Sequence, residues 1–224
     1  MKKYTVLILL AATGAVQAQA ILNFTRNKET SLQFTKTASA DEFLNYSEIT
    51  GSPYYNQDFS IAKATCCSEK TPMRYDEYAD QIEYQKDGTV YILEKGLPYS
   101  KIEFLDSKFT LVLGTVDDKP EYFIELADGK NSLLKKVSKK IETVAGKKVI
   151  FEKKPTSTSV FKENVPRYFI KTEKDVYQLI KGKSDILSLY PEKSAELTTF
   201  INSNKIKFNK EEDLVKVVNF INKS

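Results

Sequence analysis

From about residue 58 to residue 181 the chain alternates apolar and polar residues at period two, with turn residues separating the runs. A strand places successive side chains on opposite faces, so this pattern dictates half-buried antiparallel strands rather than helices. Ile82 and Tyr84 lead through Asp87-Gly88 into Val90 and Ile92, and Asp-Gly between such runs is a strong two-residue hairpin signal. Ile102 and Phe104 turn at Asp106-Ser107 into Phe109, Leu111 and Leu113. Tyr122, Ile124 and Leu126 follow the turn Asp117-Asp118-Lys119-Pro120, and Asp128-Gly129 leads into Leu133 and Leu134. Val149 with Phe151, Tyr168 with Ile170, and Tyr177 with Leu179 read as three further strands. The expected body is an antiparallel meander, folded as a sandwich or a curved sheet. Thirteen tyrosines and thirteen phenylalanines among 224 residues agree with it, since aromatic side chains favour strands.

One segment is ambiguous. Leu134, Val137, Ile141 and Val144 fall at helical spacing and Gly146 sits like a helix stop. Lys135 and Lys136 would then occupy the first turn, where the helix dipole disfavours positive charge. The reading adopted is a strand running into a basic loop.

After Gly182 the period changes to that of a helix. Ser184 is placed to cap a short helix bearing Ile186, Leu187 and Tyr190. Pro191 suits a first helical position, opening a helix with Leu197, Phe200 and Ile201 inward and Asn202 to Asn204 as its stop. Asn209 and Glu212 resemble a capping box before Leu214, Val217, Val218 and Ile221. A tail of 182–224 is too small to be stable alone and is expected to pack on the sheet. The fold class expected is therefore mainly β with a helical C-terminus (α+β), the body spanning 58–181. The segment 21–57 is partly irregular: Leu32 and Phe34 suggest one strand, Ser39 to Glu42 a weak cap before Phe43 and Leu44, and Gly51-Ser52-Pro53 a loop.

Residues 1–20 read as a cleavable signal peptide. Lys2 and Lys3 are followed by an apolar run from Tyr4 to Ala12, too short for a bilayer core of about 30 Å, then Gly14 and small residues. Cleavage after Ala20 is preferred to cleavage after Ala18, and no cysteine follows the run to make a lipoprotein. The expected product is periplasmic or secreted, with no transmembrane segment once the signal is removed.

The order of these features, from the signal peptide through Gly51-Ser52-Pro53-Tyr54-Tyr55, Met73-Arg74-Tyr75-Asp76, Tyr122-Phe123-Ile124-Glu125-Leu126 and Gly129 to Leu187, Phe200-Ile201 and Glu211-Glu212-Asp213-Leu214, resembles a set of uncharacterised exported proteins of Gram-negative bacteria. The resemblance covers most of the mature chain and implies the same architecture. It implies no activity.

Histidine is absent, which removes every Ser-His-Asp, Cys-His and histidine-metal arrangement, and tryptophan, the usual sugar-stacking residue, is absent too, although tyrosine can take its place. Cys66 and Cys67 are the only cysteines and are adjacent. Bonded to each other they would close a small ring, since neighbouring Cα atoms lie about 3.8 Å apart and ordinary disulfides prefer roughly 4.4 to 6.8 Å. A structural turn pair or vicinal disulfide is the leading reading. Redox or intermolecular chemistry follows, then soft ligation of copper(I) with Met73; the flanking Ser68-Glu69-Lys70-Thr71-Pro72 reads as a hairpin loop.

Nine lysines against Glu142 and Glu152 between Lys130 and Lys154 make a local charge of +7, in a chain of net charge +4. Lys135, Lys136, Lys139, Lys140, Lys147 and Lys148 are the candidate patch for an anionic partner. The competing reading is a solvated loop whose lysines keep a sheet edge soluble. Nucleic acid is not an expected partner, because only Phe151 could stack a base there. The pairs Asp76 with Glu77 and Asp117 with Asp118 are read as turn and surface residues, since strand neighbours point to opposite faces and a glycosidase needs two carboxylates aimed at one bond. Tyr54, Tyr55, Tyr75, Tyr78, Tyr84 and Tyr91 could line a ligand face, or form strand core and cross-strand pairs.

The function expected is that of an exported, non-enzymatic envelope protein with a binding or structural role, without a cofactor and without a bound metal. Its partner would be another envelope protein or an anionic lipid or glycan. The alternatives are a carrier holding an apolar or anionic ligand between a curved sheet and the C-terminal helices, and a carboxylate-based hydrolase.

Overall fold

The computed structural model describes residues 36–37, 46–145 and 157–223. Thirteen strands are labelled in chain order: β1 (Lys36–Thr37), β2 (Ser60–Ala64), β3 (Lys70–Asp76), β4 (Gln81–Lys86), β5 (Thr89–Ile92), β6 (Lys101–Phe104), β7 (Phe109–Val116), β8 (Lys119–Ala127), β9 (Ser132–Lys136), β10 (Lys139–Ala145), β11 (Ser157–Glu163), β12 (Arg167–Lys171) and β13 (Tyr177–Ile180). Eleven of them form one sheet in the order β1-β5-β4-β3-β2-β6-β7-β8-β9-β12-β13, every pair antiparallel; β10 and β11 form a separate ribbon. Three helices follow: α1 (Lys183–Leu189), α2 (Ser194–Ser203) and α3 (Glu211–Lys223). The chain is thus mainly antiparallel β with helices at its C-terminus.

The hairpins lie where turn chemistry demands. Asp87 and Gly88 both have positive φ between β4 and β5, as do Asp117 and Asp118 between β7 and β8. That is the backbone of the two-residue turn whose twist matches the strands it joins. The stretch with helical spacing is extended: β9 ends at Lys136 and β10 begins at Lys139, so the basic loop expected here is strand. Lys70, Thr71 and Pro72 likewise belong to β3 and not to the preceding loop.

The sheet bends twice, in opposite senses. Strands lie about 4.8 Å apart, so partners four positions along a flat sheet are about 19 Å apart. Tyr75 of β3 and Tyr122 of β8 have three strands between them, yet their rings meet with centroids 6.1 Å apart. This first curl encloses a core of Ala62, Met73, Tyr75, Ile82, Tyr84, Ile102, Phe104, Leu111 and Tyr122. On the other face, Tyr177 of β13 reaches back to β7: a Cβ on Gly114 would lie 2.5 Å from Tyr177 Cε1. The second curl closes over Phe123, Leu134 and Phe169.

Gly114 therefore makes room for Tyr177. Gly114→Ala is expected to lose about 1 kcal/mol through overpacking. In a Tyr177→Ala background the same change should be neutral or stabilising, because alanine outranks glycine in a strand. Urea midpoints of the four proteins test this, and equal effects in both backgrounds would refute the close approach.

The helices cover the back of the second curl, packing Ile186, Tyr190, Leu197, Ile201, Leu214, Val217, Val218 and Ile221 against Leu133, Ile170 and Ile180. Their starts differ in detail from the sequence reading. The cap of α1 is Gly182, with Asp185 Oδ2 accepting the Lys181 and Gly182 N–H groups, so Ser184 lies inside the helix. Pro191 opens a short 3₁₀ turn ahead of α2. At α3, Asp213 and not Glu212 reaches back, to the Lys207 N–H. The tail is stitched to the β8–β9 turn: Asn131 N–H donates to Asn222 Oδ1 at 2.9 Å, Asn222 Nδ2 donates to the Asn131 carbonyl at 2.8 Å, and Tyr190 OH donates to Asn131 Oδ1 at 2.6 Å. Gly129 beside this knot has φ +148 and a Cβ there would sit 2.6 Å from Asn222 Nδ2. Only glycine serves both demands.

Among the described residues no helix is long and apolar enough to cross a membrane. The signal peptide expected at residues 1–20, the strands expected at Leu32–Phe34 and Val149–Phe151, and the cap expected at Ser39–Glu42 lie outside the described residues, as do Gly146, Lys147 and Lys148.

Candidate functional site

The outer face of β3 and β4 carries a polar cluster built on the cross-strand pair Arg74 and Glu83. Arg74 Nε donates to Glu83 Oε2 at 2.8 Å, and the guanidinium lies between the rings of Tyr54 and Phe59, 3.6 and 4.4 Å from their centroids. Arg74 Nη1 also donates to the Gln57 carbonyl at 3.2 Å, and Nη2 to Tyr54 OH at 2.7 Å. A planar cation with five donors can stack and bond at once, which lysine cannot do. Burial, with the nearby Glu83 carboxylate, pushes the Tyr54 hydroxyl up to about 12.

The consequence is local. Residues 53–55 pair with the end of β3 where β2 has stopped, through Tyr55 N–H to the Tyr75 carbonyl and Glu77 N–H to the Pro53 carbonyl, both 2.9 Å. Arg74 then holds 54–59 from behind. The side chains of Tyr55, Asn56, Gln57 and Asp58 are left on the surface.

These residues form one wall of an open groove of about 1060 Å³ at the mouth of the first curl. The β6–β7 turn supplies Ser107 and Lys108, the start of β7 supplies Phe109, and β8 supplies Ile124, Glu125 and Leu126. Three consecutive strand residues seldom face one space. Here the β8–β9 register shifts between Glu125 and Ala127, and such a bulge re-aims side chains. Tyr55 packs on Phe109 with centroids 4.9 Å apart, and Phe109 stacks on buried Phe104 at 4.3 Å. Ser60 and Ser107 bond to each other at 3.0 Å. Glu125 is paired with Lys101 at 2.7 Å. No hydrogen bond or ion pair engages the side chains of Asn56, Gln57, Asp58 or Lys108 among the described residues.

The acidic pair Asp76 and Glu77 was expected on the surface and is instead buried. Asp76 Oδ1 accepts the Tyr78 and Ala79 N–H groups, and Oδ2 accepts Tyr46 OH at 2.9 Å. Burial pushes its carboxyl above the ordinary range in spite of these donors. Burial also raises Glu77, against the pull of Lys139 at 3.2 Å. Each carboxylate is consumed by a structural partner, and they are not opposed across a cleft. Asp117 and Asp118 are exposed turn residues, as expected.

The lysines of the candidate patch do not converge. Lys135 pairs with Glu211 of α3, on the helix side of β9. Lys136 is buried on the other side, donating to Asp80 Oδ1 at 2.6 Å and the Tyr122 carbonyl at 3.1 Å. Lys139 holds Glu77 and the carbonyls of Ser52 and Tyr54. Lys140 pairs with Glu142 on the ribbon. Of the six tyrosines, Tyr75 and Tyr84 are core, Tyr54 clamps Arg74, Tyr91 stacks on Tyr84, and Tyr78 lies edge-on to Tyr46 and Phe161. Tyr55 alone of these lines the groove.

Cys66 and Cys67 are bonded to each other in the turn between β2 and β3, with Cys66 exposed and Cys67 in the core. Met73 is buried in β3. Among the described residues no three His, Cys, Asp or Glu side chains gather to hold a metal ion. Both cysteines are expected to resist alkylation until a reductant frees their thiols. Reduction should then change the urea midpoint little, because a bridge between neighbours closes almost no loop, against roughly 3 kcal/mol for a fifteen-residue loop. A large drop on reduction would contradict this.

No family model, curated protein or solved structure matches the chain.

Proposed function

We propose that the protein is an exported, non-enzymatic binding component of the cell envelope, and that the groove at the mouth of the first curl holds its ligand. The observation behind this reading is the groove itself: a clamped wall on which the side chains of Asn56, Gln57 and Asp58 have no partner among the described residues, facing an aromatic stack. Export is supported by the Lys2-Lys3 start, the short apolar run and the small residues before Ile21. A disulfide between Cys66 and Cys67 fits an oxidising compartment. The non-enzymatic reading is supported by the structural engagement of Asp76, Glu77 and Glu83.

A carrier site between sheet and helices has less support, since Leu133, Ile170, Leu197 and Val217 pack into that space. The lysine stretch likewise offers no continuous anionic site, because Lys135, Lys136, Lys139 and Lys140 face different elements and are each paired with a carboxylate.

Native mass spectrometry of the protein recovered from the envelope of cells that make it tests the proposal. The expected result is a mature chain beginning at Ile21 with a bound adduct that Tyr55→Ala loses. An unprocessed cytoplasmic chain overturns export; a bare protein, or an adduct that survives Tyr55→Ala, overturns the groove as its site.

A further inference from the structure

We infer that the ligand is an uncharged polysaccharide, held as a run of sugar rings along the groove across Tyr55 and the side chains of Asn56 and Gln57. This rests on the groove being the binding site. Four features select this chemistry.

The first is shape. The groove is open, and its volume of about 1060 Å³ lies just above the roughly 300–1,000 Å³ range of small-molecule pockets. An enclosed cavity suits a small apolar ligand, whereas an open trough suits a chain whose ends run on beyond it.

The second is the ring. Tyr55 is 38% exposed, yet it is backed by Phe109, and Phe109 by buried Phe104. The stack keeps Tyr55 from collapsing into the core. It presents a flat apolar surface with a hydroxyl at its tip, suited to a ligand with one apolar face and polar edges. A pyranose ring has that character: axial C–H groups on its faces and hydroxyls around its rim.

The third is the polar lining. Asn56 and Gln57 each offer a carbonyl acceptor and an amide donor in one plane, a spacing that matches neighbouring hydroxyls, which themselves donate and accept. Ser60 and Ser107 add hydroxyls, and Asp58 an acceptor. Because Arg74 grips the Gln57 carbonyl and the rings on either side of the segment, the wall is ordered before the ligand arrives, which reduces the entropy cost of binding.

The fourth is charge. Glu125 is neutralised by Lys101, leaving Asp58 and Lys108 with opposite signs. With Lys108 offset by Asp58, the lining carries no net positive charge to favour a phosphate or a carboxylated polymer.

Isothermal titration of the mature protein with neutral hexasaccharides (cello-, xylo-, manno- and malto-hexaose) and with an oligogalacturonate as the charged counterpart tests the assignment. At least one neutral sugar is expected to bind and the oligogalacturonate not to bind. Tyr55→Ala, and separately the pair Asn56→Ala with Gln57→Ala, should weaken that binding by about tenfold or more, with the thermal midpoint unchanged in the Asn56 and Gln57 pair, whose side chains are at the surface, and only slightly lowered in Tyr55→Ala, which loses its packing on Phe109. Binding of the oligogalacturonate alone, absence of binding to every neutral sugar, or equal binding by Tyr55→Ala each overturns the assignment. If the sugars fail while the native adduct is still lost in Tyr55→Ala, the groove stands and only the ligand class falls. If both fail, the groove falls with it.

Discussion

Asp80→Asn is expected to destabilise the protein by about 3 kcal/mol, while Asp76→Asn, four residues earlier, should change it by less than about 1 kcal/mol at pH near 7. Asp80 Oδ1 accepts from Lys136 Nζ and from Tyr75 OH, each at 2.6 Å, and Oδ2 accepts from Lys95 Nζ at 2.6 Å. The Lys136 side chain is only 5% exposed, and its other carboxylate, Glu121, is 3.4 Å away. Neutralising Asp80 leaves a buried ammonium short of counter-charge, a change that costs roughly 3–5 kcal/mol in such sites; the lower end applies because Glu121 and the Tyr122 carbonyl remain. Asparagine tolerates the left-handed backbone that Asp80 adopts at φ +53, so the substitution isolates charge from strain. Asp76 has the opposite environment. Its donors are two backbone N–H groups and a hydroxyl, no cation among the described residues pairs with it, and Glu83 adds repulsion. Asparagine keeps the acceptor for the N–H groups, and Tyr46 OH can turn to accept from the new amide. Because the folded state holds the Asp76 proton more tightly than the unfolded state does, the ionised form costs stability in full above the raised value. That cost is relieved as pH falls towards the ordinary 3.8. Asp76→Asn should remove this part of the pH dependence. Urea denaturation of both variants, at neutral pH and in mild acid, measures each claim; equal losses in the two would show that charge pairing is not what separates them.

These aspartates mark the boundary of what the sequence discloses. Turns such as Asp87-Gly88 and Asp117-Asp118 were readable because their chemistry is contained in two residues, and the helices because apolar spacing such as Leu214, Val217, Val218 and Ile221 is contained in one element. Burial of Asp76 was not readable. A carboxylate at a strand end normally meets water, and the hydroxyl that covers it comes from Tyr46, thirty positions earlier. The double curl was hidden for the same reason, since Tyr75 with Tyr122 and Gly114 with Tyr177 are contacts between distant strands. The lysine stretch misled in another way. Counting charge along the chain treats Lys135 and Lys136 as neighbours, although period-two geometry sends them to opposite faces once that segment is a strand. The groove had one legible component, Tyr55, and its remaining walls are brought together only by the fold.

Leu197→Ala is expected to cost about 3 kcal/mol, and the larger question is which signals move with it. Leu197 is fully buried in α2 among Ile186, Ile201, Leu214, Val217 and the sheet residues Leu133 and Ile170; truncating such a leucine costs roughly 2–5 kcal/mol through lost burial and the cavity left behind. If the helices were a separate unit, only the helical signal would shift. The contacts argue against that. Helices of 7, 10 and 13 residues are too short to persist alone, and the sheet would expose Leu133, Ile170 and Ile180 without them. The Asn131–Asn222 and Tyr190–Asn131 hydrogen bonds tie the two parts at the β8–β9 turn, and Tyr168 OH donates to Glu211 Oε1 at 3.0 Å at the start of α3. The chain provides two independent reporters. Far-ultraviolet circular dichroism near the helix band follows the tail, and tyrosine fluorescence follows the body, because Tyr190 alone of the thirteen tyrosines lies within 182–224. Both midpoints should fall together in Leu197→Ala, with the same slope as in the unsubstituted protein. Separation of the two curves would mean that the tail unfolds on its own, and that the groove on the far curl is held without it.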